Sequence, residues 1–323
     1  MYRAFIYGLV IWFAVPPGAA QAWSECGHCI VALLAFDLLS AEEKAKVVAL
    51  LEKHPRFAAD FNPPASLPND EEKLRWQIGR AGYWPDVIRK TELDRPTWHY
   101  EIGSALVIGD ATKLLVPVRP GPLPDDATLK TQKLYISQAL ALCRRTLADK
   151  EASAADRAVA FCWTTHLVGD AHQPCHAGSL FMEGVFQAED GDRGANRIRT
   201  KQVDNMHMLW DQLLGNEFDL NGVRKRMFEM RSDEELVAWG KQAIAIDGGL
   251  DPQTWLAESR AASKANVYAP EVLESLQLVA RGVAKEPQPV DLSDAYLKNA
   301  GRIAQERVIA AGYRLAEVWR KAL

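Results

Sequence analysis

Hydrophobic side chains recur along most of this chain at intervals of three and four residues, which is the period of an α-helix rather than a β-strand. The final segment, DAYLKNAGRIAQERVIAAGYRLAEVWRKAL, is long and amphipathic throughout. Helical patterns occur at about 70–80, 128–148, 153–168, 203–215, 233–247, 252–269 and 293–321. The periodicity therefore predicts an all-α fold.

The boundaries between these helices carry their own signals. Ser40-Ala41-Glu42-Glu43 has the spacing of a capping box, in which the serine and the glutamate satisfy two backbone N–H groups, so a helix should begin there. Proline-rich breaks occur at FNPPASLP, VPVRPGPLPDD and KEPQPVDL without a change in composition, which indicates loops within one domain. The segment GDRGANRIRTKQV alternates apolar and polar residues after its glycines, which predicts a small hairpin near 192–203 or an extended loop.

The first residues differ in character from the rest. One basic residue precedes an apolar run from Ala4 to Val15, and a Pro-Pro-Gly break leads to the small-residue triplet Ala20-Gln21-Ala22. This is the layout of a secretory signal peptide with its cleavage site. A run of about 12 apolar residues is too short to span ~30 Å of hydrocarbon. We therefore expect a signal peptide over 1–22, one domain over 23–323, and a periplasmic or secreted protein with no stable membrane insertion.

Composition narrows the partners only slightly. The net charge is −4, whereas proteins that bind duplex DNA through its phosphates usually carry a strong basic excess. Five cysteines follow the signal segment. Export permits disulfides, but an odd number leaves at least one thiol unpaired in a monomer, which is the state we expect. The spacing does not decide which cysteines pair.

Histidine and aspartate are concentrated in HLVGDAHQPCH, residues 166–176, although the whole chain has only seven histidines. His166 and Asp170 are four residues apart and so share one face of a helix. Pro174 should end that helix, which allows His176 to turn back toward the same face. The same spacing recurs at His207 and Asp211 in NMHMLWDQLL.

Two further segments supply the same chemistry. Asp86 and His99 are expected in the loops around one helical turn of YWPDVIRKTELDRPTWHY, and Trp23 and His28 lie in WSECGH. Imidazole and carboxylate are the ligands that zinc favours in catalytic sites. A single pair of this spacing is more often a surface contact. Two such pairs within apolar helices, where an unpaired charge is costly, predict a metal site.

Seven ordered motifs now make a resemblance visible. They are Trp at the mature N-terminus with His five residues later, WPD, WHY, H-x-x-G-D-x-H-Q-P-x-H, G-D-R-G-x-N and N-x-H-x-x-W-D, with AGYRLAEVW near the end. In this order they resemble the type I zinc nucleases. That family comprises fungal single-strand-specific nucleases, plant bifunctional nucleases and bacterial 3′-nucleotidase/nucleases, and zinc-dependent phospholipase C is a more distant relative. The resemblance covers essentially all of 23–323 and implies the helical phospholipase C/nuclease fold.

The resemblance implies a trinuclear site with three zinc ions (Zn2+). The first would be held by Asp86, His99, His166 and Asp170. The second would take the backbone amine and carbonyl of Trp23, His28 and a bridging Asp170, and the third His176, His207 and Asp211. It also implies a secreted endonuclease and 3′-nucleotidase that hydrolyses single-stranded DNA, RNA and 3′-nucleotides to 5′-phosphorylated products. Phosphate gripped by metal would make the net negative charge no obstacle.

Three more residues match family positions that contact substrate. Arg89 would join Asp86 in catalysis by stabilising charge at phosphorus, unless it is an ordinary surface arginine. Tyr100 would stack on a base, unless it packs in the core. Asn196 would lie near the nucleotide, although Ala195 replaces the usual glycine before it.

Several residues near the motifs have simpler explanations. Cys175 replaces a usual leucine and is expected to be a small buried hydrophobic residue rather than a stray metal ligand. His172 belongs to the motif but not to the ligand set, so it should support the site from behind. His54, next to a proline at a helix end, is expected at the surface.

Other functions are weighed on the same motifs. A phospholipase C would need a headgroup pocket and access to a lipid surface, and it is the alternative we retain. A periplasmic zinc carrier usually has flexible histidine-rich tracts, whereas these ligands lie in separate rigid elements. A zinc peptidase is disfavoured because H-E-x-x-H does not occur.

Overall fold

Helices form nearly all of the regular structure in a computed structural model that describes residues 23–216 and 218–323. The predicted signal peptide lies outside the described residues. The elements, in chain order, are α1 (Glu25–Asp37), α2 (Ala41–Leu51), α3 (Phe57–Asp60), α4 (Asp70–Val87), β1 (Gly103–Ile108), α5 (Ile136–Ala148), α6 (Ala154–His172), α7 (Pro174–Ala177), β2 (Gly178–Met182), α8 (Met206–Gln212), α9 (Leu220–Ser232), α10 (Glu234–Ala245), α11 (Pro252–Ala262), α12 (Pro270–Ala280) and α13 (Asp294–Ala322).

Helix α6 lies at the centre of the molecule. From Ala160 to His172 every residue of this helix is buried. It contacts α1, α4, α5, α11 and α13, which together surround it. A helix that is covered on all sides needs no polar face, so its few polar side chains point into the protein interior. This placement is what brings His166 and Asp170 to the middle of the fold.

Two hydrophobic clusters fill the space between the elements. The larger surrounds α6 and contains the buried Trp84, Trp98, Trp163, Trp255 and Trp319. The smaller gathers residues of β2, α8 and α12 with the loops between them. Strands β1 and β2 pair in parallel, with an irregularity between Ser104 and Leu106, and β2 is buried along its whole length. Strand β2 begins at Gly178, directly after the short helix α7 that carries His176.

The prediction of an all-α fold is confirmed, and the capping box at Ser40 forms as expected, with Ser40 and Glu43 bonded to each other's backbone. The helix expected from 128 begins only at Ile136. Helices α1, α9 and α12 and the four-residue helices α3 and α7 were not predicted. In α1 the reason is physical, because eleven of its thirteen residues are buried and it shows no amphipathic stripe.

Of the two alternatives for the segment near 192–203, the structure shows the loop. The backbone takes positive φ at Gly191, Arg193, Gly194 and Ala195, which a strand does not allow. Among the described residues, this loop pairs with the segment that follows it at one place, an isolated antiparallel bridge between Arg199 and Asn205. A hairpin does not form because the turns of this loop surround a buried carboxylate.

That carboxylate belongs to Asp192. It accepts hydrogen bonds from the backbone N–H groups of Leu180 and Ala195 and from the hydroxyl of Tyr268. Burial raises the pKa of Asp192 to about 6. The loop is therefore anchored from inside rather than paired as a sheet.

The cysteines, His54 and the apolarity of the helices can also be compared with the predictions. All five cysteines are buried free thiols, so none is paired in a disulfide. Cys175 lies in the smaller hydrophobic cluster, as expected for a small hydrophobic residue. His54 is only 3% exposed, which corrects the expectation of a surface position. Within residues 23–216 and 218–323, no helix combines the length and apolarity needed to cross a bilayer.

Candidate metal centre

His166 is held by a backbone carbonyl that fixes its proton. Its Nδ1 lies 2.8 Å from the carbonyl oxygen of Gly82, so Nδ1–H donates and Nε2 is the nitrogen that faces the other groups. That Nε2 lies 3.1 Å from Asp170 Oδ2, 2.9 Å from His99 Nδ1 and 3.9 Å from Asp86 Oδ2. The helix spacing predicted the contact with Asp170. The packing of α4 on α6 supplies the contact with Asp86, and the turn Pro96–His99 supplies that with His99.

Asp170 is the point where imidazoles from four elements meet. Its Oδ2 faces His166 and His99 Nδ1, the latter at 3.2 Å. Its Oδ1 lies 3.4 Å from His28 Nε2 and 3.7 Å from His176 Nδ1. Each carboxylate oxygen therefore turns toward a different group of histidines, which is the arrangement that a carboxylate shared between two cations requires.

His28 reaches this point from α1 by lying over a glycine. Its ring stacks on that of His166, with centroids 3.9 Å apart. A Cβ on Gly169 would lie 2.8 Å from His28 Nδ1, so a side chain there would displace the imidazole. The indole Nε1 of Trp23 donates to the Gly169 carbonyl at 3.1 Å, and the Ser24 N–H donates to the Asp211 carbonyl at 3.0 Å. The start of the described chain is thus placed between α6 and α8.

His176 and His207 meet in a second group. Their Nε2 atoms are 3.2 Å apart. His176 Nδ1 donates to the His99 carbonyl at 2.5 Å, and His207 Nδ1 donates to the Gly194 carbonyl at 2.6 Å. Because both Nδ1 atoms carry the proton, both Nε2 atoms present lone pairs to the same space. That geometry suits coordination of a cation.

Asp211 completes this group from α8. Its Oδ2 lies 3.5 Å from His207 Nε2, and its Oδ1 accepts a 2.6 Å hydrogen bond from the side chain of Gln173. Gln173 also accepts from the N–H of Cys175 at 2.5 Å, so it links the turn before His176 to the carboxylate. Gln173 was not predicted as a site residue. The feature of the sequence that could have indicated it is its position between the two histidines of the HQPCH segment.

Three groups, two of which share His166, have the donor set and spacing to hold a metal ion. In each group the potential ligand atoms lie within 4.8 Å of one another, and every residue is buried. The groups are His28, His166 and Asp170; Asp86, His99 and His166; and His176, His207 and Asp211. All eight side chains proposed as ligands from the sequence lie in these groups, with donors drawn from α1, α4, α6, α7, α8 and the turn ending at His99.

The electrostatics of the groups fit a cation. Burial, together with neighbouring positive groups, lowers the pKa of His28 and of His99 to about 4, so both rings are neutral and able to coordinate at neutral pH. Burial raises the pKa of Asp170, but the His166 and His176 imidazoles outweigh it and hold that pKa well below its usual value. Burial, with the nearby acids, raises the pKa of Asp211 well above its usual value.

Hydrogen bonds do not satisfy these buried groups. No described residue forms a hydrogen bond of good geometry with either oxygen of Asp170, with Asp86 Oδ2 or with either ring nitrogen of His28. Buried polar atoms of this kind are costly unless something compensates them. Divalent cations held by these groups would compensate the carboxylate oxygens and one nitrogen of His28, so the residues present fit a metal site.

The structure corrects the environment expected for one of the ligands. Asp86 does not lie in a loop, because α4 continues through Pro85 and ends at Val87. His99 closes the 3-10 turn Pro96–His99. The carboxylate is therefore fixed by a helix that contacts both α1 and α6.

Arg89 lies against this carboxylate. Its Nε donates to Asp86 Oδ1 at 3.0 Å, and its Nη1 lies 3.8 Å from Asp94. Its Nη2 is buried and has no hydrogen-bond partner among the described residues. Arg89 is thus a partly buried arginine whose side chain contacts the carboxylate of Asp86.

Tyr100 borders a cleft next to the metal groups, and Asn196 follows a segment that also lines this cleft. Tyr100 follows His99 and lines a cleft of about 590 Å3, together with residues of three other segments (Tyr135, Leu115, Val118, Glu189, Asp190 and Arg197 among them). Asn196 lies in the same loop as Asp190 and Arg197, and its side chain donates to the Arg193 carbonyl at 2.8 Å. Tyr100 and two residues of the loop that carries Asn196 therefore line the same cleft.

His172 faces away from the metal groups. Its Nδ1 donates to the Val168 carbonyl at 2.7 Å, and its Nε2 accepts from the Arg314 guanidinium at 2.9 Å. Two residues after Asp170, it projects from another face of α6. It supports the end of the helix, as expected, and takes no part in the three groups.

Fold and site define a class: a mostly α-helical protein with overlapping buried groups of histidine and aspartate that are able to hold metal ions. Comparison with known proteins gives the family. The model of the S1/P1 nuclease family matches residues 23–323, and the chain belongs to this family. It is a family of hydrolytic enzymes that act on nucleic acids.

One curated relative is similar over part of the chain. Endonuclease 4 of Arabidopsis thaliana is 25% identical over 161 residues, which cover 49% of this chain and 48% of that protein. The chain thus spans about half the length of this relative.

Proposed function

We propose that this chain is a zinc-dependent endonuclease and 3′-nucleotidase that hydrolyses single-stranded DNA and RNA to 5′-phosphorylated products. One observation carries the proposal. The carboxylate of Asp170 lies between two groups of buried histidines, beside a cleft that Tyr100 lines. Membership of the S1/P1 nuclease family supports the reaction class.

The proposed site holds three zinc ions. Asp86, His99, His166 and Asp170 would hold the first, and His176, His207 and Asp211 the third. The second would take His28 and Asp170 with the backbone amine and carbonyl of Trp23. The position of Trp23 against Gly169, one residue before Asp170, supports this assignment. When bound, zinc supplies a Lewis acid that activates water at neutral pH.

The chain's own residues divide the remaining work. Backbone carbonyls keep Nδ1 of three histidines protonated, so their Nε2 atoms stay available as ligands. Arg89 holds Asp86 with Nε and retains Nη2 as a donor toward charge that develops on a phosphoryl oxygen. Tyr100 presents an aromatic ring beside the site, which favours an unpaired base over a stacked duplex.

The assignment of Trp23 as a zinc ligand also requires removal of the signal peptide. The α-amine of Trp23 exists only after cleavage behind Ala22, so maturation and metal binding would be coupled. We propose a periplasmic or secreted monomer. N-terminal sequencing of protein recovered outside the cytoplasm should begin at Trp23, and light scattering should give a mass near that of one chain. A different first residue would overturn the role of Trp23.

A substrate panel tests the proposed function. Zinc-loaded mature protein should cleave single-stranded DNA and RNA, leave 5′-phosphates and release phosphate from 3′-AMP. Elemental analysis should give about three zinc ions per chain, the number that three ligand groups imply. Products ending in 3′-phosphate, or an enzyme with one zinc ion or none after loading, would contradict it.

The panel also includes short-chain phosphatidylcholine. Leu115 and Val118 beside the cleft are 61% and 92% exposed, and an exposed apolar segment of this kind is also suited to a lipid surface. Hydrolysis of phosphatidylcholine in preference to every nucleic acid would favour phospholipase C.

A further inference from the structure

A second tyrosine lines the cleft beside the metal groups. The rings of Tyr100 and Tyr135 have centroids 6.1 Å apart and planes inclined by 66°. Tyr100 is partly buried, whereas Tyr135 is 42% exposed, although a large aromatic side chain gains by burial. The two rings therefore form one aromatic wall with a buried member next to the metal groups and an exposed member farther along the chain.

The backbone fixes these rings relative to each other. Tyr135 immediately precedes α5, and the first N–H of that helix, from Ile136, donates to the Tyr100 carbonyl at 3.4 Å. The next N–H, from Ser137, donates to the Glu101 side chain at 3.0 Å. The start of α5 is thus tied to the segment that follows His99. A wall that is ordered before a ligand arrives loses less entropy on binding.

The inclination of the rings decides how many bases they can take. Two rings that enclose one base must be nearly parallel, and 66° excludes such a sandwich. A base stacked on Tyr100 would meet Tyr135 at its edge. The face of Tyr135 is then left for a neighbouring base of the same strand.

The charges of the cleft favour bases over phosphates. Three acids line it (Glu101, Glu189 and Asp190) against one arginine, Arg197. That arginine is already engaged, since it lies 3.2 Å from Asp190 and donates to the Gly191 carbonyl at 2.6 Å. Phosphates should therefore avoid this wall and lie toward Arg89 and the metal groups. Neutral aromatic bases suit the tyrosines.

We propose that Tyr135 is a specificity-determining residue that stacks on a second base of a single-stranded substrate, next to the base that Tyr100 contacts. This rests on the proposed nuclease function. A mononucleotide has one base and would not use Tyr135, whereas an oligonucleotide would. Tyr135 thus sets the preference for strands over 3′-nucleotides.

The test compares two substrates in the zinc-loaded enzyme. KM and kcat are measured on 3′-AMP and on a four-residue oligodeoxyadenylate for the wild type, Tyr135→Ala, Tyr135→Phe and the control Phe228→Ala. Phe228 is 73% exposed on α9 and does not line the cleft. Tyr135→Ala should raise KM for the oligonucleotide about 5- to 150-fold, as loss of one base–aromatic stack does (~1–3 kcal/mol). Its KM for 3′-AMP should change less than about twofold.

The other variants and outcomes separate the possible failures. Tyr135→Phe should keep the wild-type KM because it keeps the ring, and Phe228→Ala should change neither substrate. An unchanged oligonucleotide KM in Tyr135→Ala would overturn the proposal, as would an equal rise in both KM values. Hydrolysis of short-chain phosphatidylcholine is measured in the same variants. If Tyr135→Ala lowers this activity alone, the proposal is overturned and Tyr135 contacts a lipid headgroup instead. If the wild type hydrolyses no nucleotide at all, the proposed function itself fails.

Discussion

Two buried polar clusters lie on different faces of the same stretch of α6, and they are built from similar residues for opposite purposes. On one face, His166 and Asp170 join the metal groups. On the other, His172 contacts Arg314, which also donates to both oxygens of Glu258 at 2.7 Å. The first cluster leaves carboxylate oxygens without hydrogen bonds, whereas the second pairs its donors with acceptors.

The second cluster is closed by another arginine. Arg307 donates to Glu258 at 2.7 Å, to the hydroxyl of Ser259 at 2.9 Å and to the carbonyls of Trp255 and His172. Its guanidinium therefore satisfies the end of α6 directly. The comparison teaches that burial and residue type do not identify a metal site, whereas the pairing of donors and acceptors does.

The largest effect is expected from removing the shared carboxylate. Asp170→Asn should lower kcat/KM on single-stranded DNA by more than about 100-fold, because residues that only support ligands already cost ~10–100-fold. It should also lower zinc content. In metal-free protein the same variant should also lose unfolding free energy, since the imidazoles that hold the pKa of Asp170 below its usual value stabilise its carboxylate in the folded chain. Activity close to that of the wild type would contradict the metal role of this cluster.

The matched change in the other cluster is Glu258→Gln. It should cost about 3 kcal/mol of unfolding free energy, because it leaves two buried guanidinium groups without their carboxylate. Zinc content should stay at the wild-type level, and activity per folded molecule should fall less than about 10-fold. Denaturant unfolding and elemental analysis measure both. If Glu258→Gln loses zinc as Asp170→Asn does, the two clusters are not separate in function.

The smallest effect concerns a buried imidazole outside both clusters. Burial lowers the pKa of His54 to about 4. Between about pH 6.5 and pH 4 the unfolded chain therefore binds a proton that the folded chain refuses, so stability is lost as the pH falls through this window. His54→Gln should remove on the order of 2 kcal/mol of that loss. The check is the slope of unfolding free energy against pH, compared between wild type and variant. Parallel slopes would refute the role of His54.

Much of the fold was predictable because burial on one side leaves a trace in the sequence. The long α13 and the capped α2 were found from amphipathic spacing and capping residues. Helix α1 was missed because it is buried all round, so its apolar residues have no period to detect. The loop near 192–203 was left open because its conformation depends on the buried side chain of Asp192, whose partner Tyr268 is remote in the sequence.

The candidate site was predictable in composition rather than in arrangement. The His166–Asp170 and His207–Asp211 pairs follow from helix geometry alone, and both are close in the structure. The remaining ligands were assigned through family motifs. Arg89 could be placed near Asp86 from spacing, but its hydrogen bond to that carboxylate could not. Gln173 gave no signal beyond its position in a motif.

The sequence by itself determined the amphipathic helices and the short-range pairs that share a helix face, because both depend on residues within a few turns of each other. Tertiary structure decided everything that joins distant segments. The packing of α1 and of the turn Pro96–His99 on α6 brings His28 and His99 to Asp170, and carbonyls of Gly82 and Gly194 select the nitrogen that each bonded histidine presents. His172 carries the same imidazole two residues from Asp170, but it projects from another face of α6 and contacts Arg314 there instead of the metal groups. The physical reason is that a coordination group needs several lone pairs within a few ångströms, and only the packed core fixes atoms from six elements that closely.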